Sequence, residues 1–198
     1  MKRFSLLPLL WICIFSSVRL FADTEPDNNT LEGADAMTLD VPVNGAIDYG
    51  TGDLNDYYVF NSGDDGSISL NLTSDIYYLT LKLFDSSGIQ VGAVSNYSTV
   101  NVTVNKLEEG TYYAKVEMSS THSGSYTLTS SVAAAEYTND AEPNDVYTDA
   151  TVTIAENDSV FGHIGFRRNG GTYDAYDWYN LNLDEDAVLQ LLVTNNTG

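Results

Sequence analysis

Cysteine is nearly missing: the one residue, Cys13, lies in an apolar run close to the N-terminus. That run belongs to "MKRFSLLPLLWICIFSSVRLFA" (1–22), with Lys2 and Arg3 in front, apolar residues over 6–15 and Ala22 before a polar stretch. This is the pattern of a secretory signal peptide, so residues 1–22 are excluded from the fold and the mature chain is expected to be secreted. It has no cysteine left for disulfides, although an exported protein could use them. No other segment approaches the roughly 20 apolar residues of a transmembrane helix, so membrane insertion is not expected. Bases are scarce as well. Eight Lys and Arg face 28 Asp and Glu, and without Lys2, Arg3 and Arg19 the mature count is 5 against 28, a net charge of −23. Such a surface repels nucleic acid and anionic lipid, which need basic footprints, and it attracts cations. The plainer effect of acidity, keeping an extracellular protein soluble, accounts for most of the acids. In the mature chain Arg167 and Arg168 form the one basic pair, too small for a nucleic-acid contact.

What is present is an internal repeat, and a missed repeat would misassign the fold. "DTEPDN" (23–28) matches "DAEPND" (140–145), and Gly45-Ala46-Ile47 matches Gly162-His163-Ile164. "DLNDYY" (53–58) matches "DAYDWY" (174–179), and "SISLNL" (67–72) matches "VLQLLV" (188–193). The four blocks recur in one order, with offsets of 117 to 121. A first domain is therefore expected over 23–132, a linker over 133–139, and a second, incomplete copy over 140–198, in a chain expected to continue further. Within the first copy apolar and polar residues alternate, as in Ile68-Ser-Leu70-Asn-Leu72, Leu79-Thr-Leu81-Lys-Leu83, Val100-Asn-Val102-Thr-Val104 and Tyr126-Thr-Leu128. Turn signals such as "NSGDDGS", "DSSG" and "LEEG" separate these runs. Short alternating strands with frequent turns predict an all-β, antiparallel, jelly-roll-like sandwich. The one expected helical turn is "TLEGADAM" (30–37).

The blocks in sequence, Glu-Pro-Asp-Asn (25–28), Gly-x-Ile (45–47), Asp-x-x-Asp-Tyr-Tyr (53–58), "LKLFDSSG" (81–88), "EGTYYAKV" (109–116) and "GSYTLT" (124–129), resemble the bacterial pre-peptidase C-terminal domain. They are also similar to the collagen-binding domains of clostridial collagenases. The second copy shares the pattern as far as Val193. The resemblance implies a jelly-roll sandwich with an accessory role in a secreted protein. It also implies calcium at the matching acidic positions. The first copy carries Asp27-Asn28 where Asn-Asp is commoner, which leaves a side-chain oxygen at both places.

Calcium takes six to eight oxygen ligands in a flexible shell. Each copy offers such a set from two places. In the first these are Asp23, Glu25, Asp27 and Asn28 with Asp53 and Asp56; in the second, Asp140, Glu142, Asn144 and Asp145 with Asp174 and Asp177. The plainer reading is that Asp53 and Asp56 shape a turn before the strand "YYVF". Truncation of Asp56 to alanine distinguishes the two, because a pure ligand leaves the calcium-free melt nearly unchanged. An EF-hand is excluded, since Tyr58 stands where that loop needs its sixth-position glycine. Zinc is disfavoured on a count of nitrogen donors: only His122 and His163 exist, 41 residues apart, with no mature cysteine.

Catalytic residues are not expected. There is no His-Glu-x-x-His, no Gly-x-Ser-x-Gly and no mature cysteine nucleophile. Tyrosine is abundant at 14 residues, and of the adjacent pairs Tyr57-Tyr58 and Tyr112-Tyr113 one member must face outward. Such residues cover sheet faces and also make low-entropy contacts with extracellular proteins or polysaccharides. The chain is thus read as a monomeric, non-catalytic secreted accessory or binding module with calcium as cofactor. The alternatives are a maturation or export segment of a secreted peptidase precursor and a repeat of a surface adhesin.

Overall fold

The computed structural model describes residues 27–136, 142–183, 186 and 188–194. Residues 1–22, Asp23, Glu25 and Asp140 of the sequence reading lie outside them. A 3-10 turn (Asp27–Asn29) precedes β1 (Asp35–Ala36), β2 (Val43–Ile47), β3 (Asn55–Asn61), β4 (Gly66–Ser74), β5 (Leu79–Asp85), β6 (Gln90–Asn96), β7 (Thr99–Leu107), β8 (Thr111–Met118) and β9 (Gly124–Ala134). The second copy contributes β10 (Thr153–Ile154) and β11 (Asn180–Leu181).

Alternation decides which side of each strand is buried. Ile68, Leu70 and Leu72 of β4 and Leu79, Leu81 and Leu83 of β5 are buried, while the polar residues between them face out. One sheet runs β2-β9-β4-β7 and the other β1-β3-β8-β5-β6. Strands 2-9-4-7 facing 3-8-5-6 is the jelly-roll order, so neighbours in sequence lie in opposite sheets, except β5 and β6, and the apolar faces of the two sheets close on one another. The core takes residues from both sheets, including Val43, Ile47, Leu70, Val102 and Leu128 from one and Tyr58, Phe60, Leu81, Ala114 and Val116 from the other. Tyr58 and Tyr112 point inward, and Tyr57 and Tyr113 are half-buried on the outer face.

Three expectations need correction. β1 pairs parallel to β3, so the second sheet is mixed rather than purely antiparallel. The segment 30–37 is not a helical turn: Gly33 N–H bonds both the carbonyl and Oγ1 of Thr30, and the chain then extends into β1. That local side-chain bond and the pairing with β3 outweigh a short stretch of helix-compatible residues. Finally β9 runs to Ala134, paired with Gly66, and so takes the first two residues of the expected linker.

Among the described residues the second copy is mostly irregular, yet the strand pair it forms has a counterpart. Thr153 pairs parallel with Asn180, 117 and 121 positions after Ala36 and Val59, which also pair in parallel. Where Ile47 of the first copy is 1% exposed, the matching Ile164 is 57% exposed, and Leu189 and Leu191 are likewise open to solvent. Its hairpin around 163–174 lies on the turn end of the first sandwich. Arg167 N–H bonds Lys106 O, Glu108 N–H bonds Arg167 O, Ser86 N–H bonds Asn169 Oδ1 at 3.1 Å, and Gly170 N–H bonds Asp85 Oδ2 at 3.2 Å.

Candidate metal centres

In the first copy, Asp53 and Asp56 have different settings. Asp53 closes the loop after β2, exchanging backbone hydrogen bonds of 3.1 Å with Asp48. Asp48 was not a sequence candidate, but it organises this loop by accepting Gly50 N–H at 2.9 Å and the Ser123 hydroxyl at 2.7 Å. The Ser123 bond, then the Gly50 amide, hold its carboxyl below the usual carboxylate range. Asp56 is not in a turn. It is the second residue of β3, opposite Val116, and period two turns it to the same side as Tyr58 and Phe60. It is consequently 0% exposed.

The 3-10 turn packs against β3, bringing its fully buried Asn28 to the strand that carries Asp56. Three Asx residues in a row favour such a tight turn. The Oδ1 atoms of Asn28, Asp53 and Asp56 are all shut off from solvent. Tyr126 on β9 donates its hydroxyl to Asp56 Oδ2. Tyr58 and Tyr126 hydroxyls lie 2.6 Å apart, so with Tyr126 donating to the carboxylate its own acceptor role falls to the Tyr58 proton. Burial, then the neighbouring Tyr58 and Asp56, push the Tyr126 phenol well above its ordinary pKa. Gly45 makes this chain feasible, since a Cβ there would run into the Tyr126 hydroxyl and approach Tyr58 Oη to 2.7 Å. The Gly-x-Ile block thus has a steric reason. The expectation for Asp56→Ala changes accordingly: alanine leaves the buried Tyr126 hydroxyl short of its acceptor and destabilises the calcium-free fold too.

In the second copy, Glu142, Asn144, Asp145 and Asp174 converge. Asn144 O accepts Trp178 N–H at 3.1 Å, which ties the acidic segment to the stretch bearing Asp174 and Asp177. Asn144 and Asp174 are buried, and Glu142, Asp145 and Asp177 are half-buried. Glu142 Oε1, Asn144 Oδ1, Asp174 Oδ2 and Asp177 Oδ1 are closed to solvent.

Arg168 lies among these acids, a residue the sequence reading left without a role. Its Nε bonds Glu108 at 2.6 Å, Nη2 bonds Glu142 Oε2 at 2.9 Å and reaches Asp174 Oδ1 at 3.4 Å, and Nη1 bonds Asp145. Burial opposes the guanidinium charge, but the bonds from Asp145 and Glu108 outweigh it and raise the pKa. Glu108 is pushed up by burial, partly countered by Arg168. His163 is also buried, with Nε2 at 2.9 Å from Asp65 Oδ2 and its ring stacked on Phe166. Burial works against the Asp65 charge, but the hydrogen bonds from His163 and Glu109 N–H prevail and lower its pKa. The signal for Arg168 is the growth of the repeat offset from 117 to 121, four extra residues around "RRNGG" that the first copy lacks.

Elsewhere Tyr77, Tyr78, Tyr97 and His122 form an aromatic cluster at turns of the first sandwich. The ring centroids of Tyr77 and Tyr97 are 5.0 Å apart, those of Tyr78 and Tyr97 4.9 Å, and those of Tyr77 and His122 5.4 Å. Tyr77 and Tyr97 are more than half exposed, at 59% and 53%. Among the described residues no helix is long and apolar enough to cross a membrane.

No family model matches the chain, and no curated protein matches it. Among solved structures, the chain is similar to the pre-peptidase C-terminal domain of a collagenase from Bacillus anthracis, at 22% identity over 49% of this chain and 93% of that one, with a TM-score of 0.43. A second similar structure is a mitogen derived from Yersinia pseudotuberculosis, at 16% identity over 48% of this chain and 87% of that one, with a TM-score of 0.34.

Proposed function

We propose that the chain is a secreted, non-catalytic β-sandwich module, stabilised by calcium, that attaches or targets an exported protein to an extracellular protein or polysaccharide. The observation that carries this reading is the oxygen set around the start of β3: Asn28 and Asp56, both fully buried, with Asp53 three positions before Asp56 in the chain. Hard oxygen donors of this kind, mixing amide and carboxylate, suit calcium. Bound there, the ion supplies positive charge that offsets repulsion among the clustered acids. The chain's own residues do the rest. The N-terminal turn that carries Asn28 packs against β3, Asp53 is set by its exchange with Asp48, and Tyr126 bonds Oδ2 of the buried Asp56. In the second copy the acids Glu142, Asp145, Asp174 and Asp177 and the amide Asn144 form a comparable oxygen set.

For attachment, the support is the exposed cluster of Tyr77, Tyr97 and His122, rigid rings with polar tips at one end of a stable scaffold. Calorimetric titration of the chelator-treated mature chain with calcium, paired with melts in calcium and in chelator, tests the first half. Saturable heat and a higher melting temperature in calcium are expected; no heat and identical melts overturn it. Binding of wild type and Tyr97→Ala to extracellular polymers tests the second, with loss of retention expected in the variant.

A further inference from the structure

We propose that the outer face of the sheet β2-β9-β4-β7, together with the tyrosine cluster at its end, binds an uncharged polysaccharide. The inference rests on the attachment reading and deepens it, naming the polymer that the cluster around Tyr77 and Tyr97 helps to hold.

Strand pairing sets the outward side chains of this sheet in cross-strand rows. Asn44, Thr127, Thr73 and Thr99 form one row. Thr129, Asn71 and Asn101 form the next, and Ser131, Ser69 and Thr103 the third. Every member is Asn, Ser or Thr, and every one is exposed or half-buried. Beyond these rows Ala46 stands opposite Ser125, and Ser67 opposite Ala133, again without charge. Yet the chain has 28 Asp and Glu. Charge sits instead in the turns and on the outer face of the other sheet, where Lys82 and Lys115 meet Glu117.

The chemistry of the face selects the partner. Hydroxyls and amides both donate and accept, as the hydroxyls of a sugar do. Neighbours within the rows orient one another: Thr127 donates to Asn44 Oδ1 at 2.8 Å, and the Ser69 and Thr103 hydroxyls lie 3.0 Å apart. Short side chains lose little freedom on binding, and β-branched threonine is stiff already. Strands about 4.8 Å apart, with outward residues about 6.8 Å apart along each, offer a regular grid to a flat polymer. The cores of protein-binding surfaces instead concentrate aromatic, Met and Arg residues and are poor in Ser. An ionic polymer finds no counter-charge on these rows. At one end the face continues into an open groove lined by Asn44, Thr73, Ser74, Asp75, Ser125 and Thr127. Ser74 N–H bonds the carbonyl of Ser98, the neighbour of Tyr97, and Tyr77 follows Ser74 by three positions. The exposed rings of Tyr77 and Tyr97 therefore stand beside the groove, where an aromatic ring can stack on the apolar face of a pyranose.

Depletion of the mature chain from solution by insoluble cellulose and chitin, with gelatin as a protein polymer, tests the inference. Retention on a neutral polysaccharide is expected, little changed between low and high salt. Thr73→Val removes a hydroxyl and keeps the shape, and Asn71→Asp places a charge in the middle row. Together they should weaken retention about 10-fold or more. Both sites are exposed, so the melt should stay close to that of wild type. Asn101→Asp, at the exposed neighbour, serves as the second variant if the first fails to fold. Lys82→Ala, on the other sheet, should bind as wild type. No retention on either polysaccharide, or retention unchanged in both face variants, overturns the inference. Retention on gelatin alone, lost in Tyr97→Ala, overturns it and leaves attachment through the cluster standing. Dimerisation in sedimentation velocity that Asn71→Asp abolishes makes a second copy the occupant and overturns it as well.

Discussion

Replacing Asp56 by asparagine removes one negative charge from the buried start of β3 and keeps an oxygen for the Tyr126 hydroxyl. Two effects that alanine would merge are thereby separated. If Asp56 is a calcium ligand, Asp56→Asn loses the linkage stabilisation, which is about 2.7 kcal/mol when free calcium is about 100 times the dissociation constant. In a sandwich of this size that corresponds to a fall of roughly 10 °C in the melting temperature measured in calcium. In chelator the variant should melt with or slightly above wild type, because repulsion within the acid cluster is reduced. Asp56→Ala should lose the calcium increment and about 1–3 kcal/mol more in chelator, for the stranded hydroxyl. Differential scanning calorimetry of the three proteins, each in excess calcium and in chelator, gives six melting temperatures. Equal calcium shifts in wild type and Asp56→Asn would refute a ligand role for Asp56. A large loss in chelator for Asp56→Asn would refute the division between ligand and phenol anchor.

Gly45→Ala should destabilise by about 1–3 kcal/mol or more in urea unfolding, since its Cβ meets both phenols of the Asp56 network. Leu81→Ala should cost about 2–5 kcal/mol at the centre of β5, while Lys82→Ala, next to it on the outer face and paired with the half-buried Glu117, should cost less than about 1 kcal/mol. Burial, aided by Glu108, raises Tyr112 to about 12 from an ordinary value of 10.0. Its folded pKa exceeds its unfolded one, so this contribution to stability is complete below pH 10 and lost as the pH rises towards 12. Urea unfolding across that window should show the decline, and Tyr112→Phe should make it shallower.

Much of the sandwich is legible because burial on one face imprints period two: β4, β5, β7 and β9 all contain the alternating runs. β6 is not legible, since Gln90–Asn96 pairs only at the sheet's edge, is largely exposed and carries no alternation. β1 has two residues and exists through its pairing with β3. At the site, the types of residue were legible but the placement of Asp56 was not. Asp suggests a turn, whereas its distance of two and four positions from Tyr58 and Phe60 sets it on the inner face of a strand. The Arg168 clamp was hidden for another reason. Its partners Glu108, Glu142 and Asp145 stand 60, 26 and 23 positions away, beyond any local spacing rule. Only the folding of the second copy's hairpin onto the first sandwich brings them to one side chain.

The most direct test of the calcium account is a crystal structure of the mature chain grown in millimolar calcium, with anomalous scattering used to identify ions. The account predicts an ion coordinated by oxygens of Asn28, Asp53 and Asp56 at the start of β3, about 2.3–2.6 Å from each. Those side chains hydrogen-bonded among themselves or to water, with no anomalous peak between them, would contradict it.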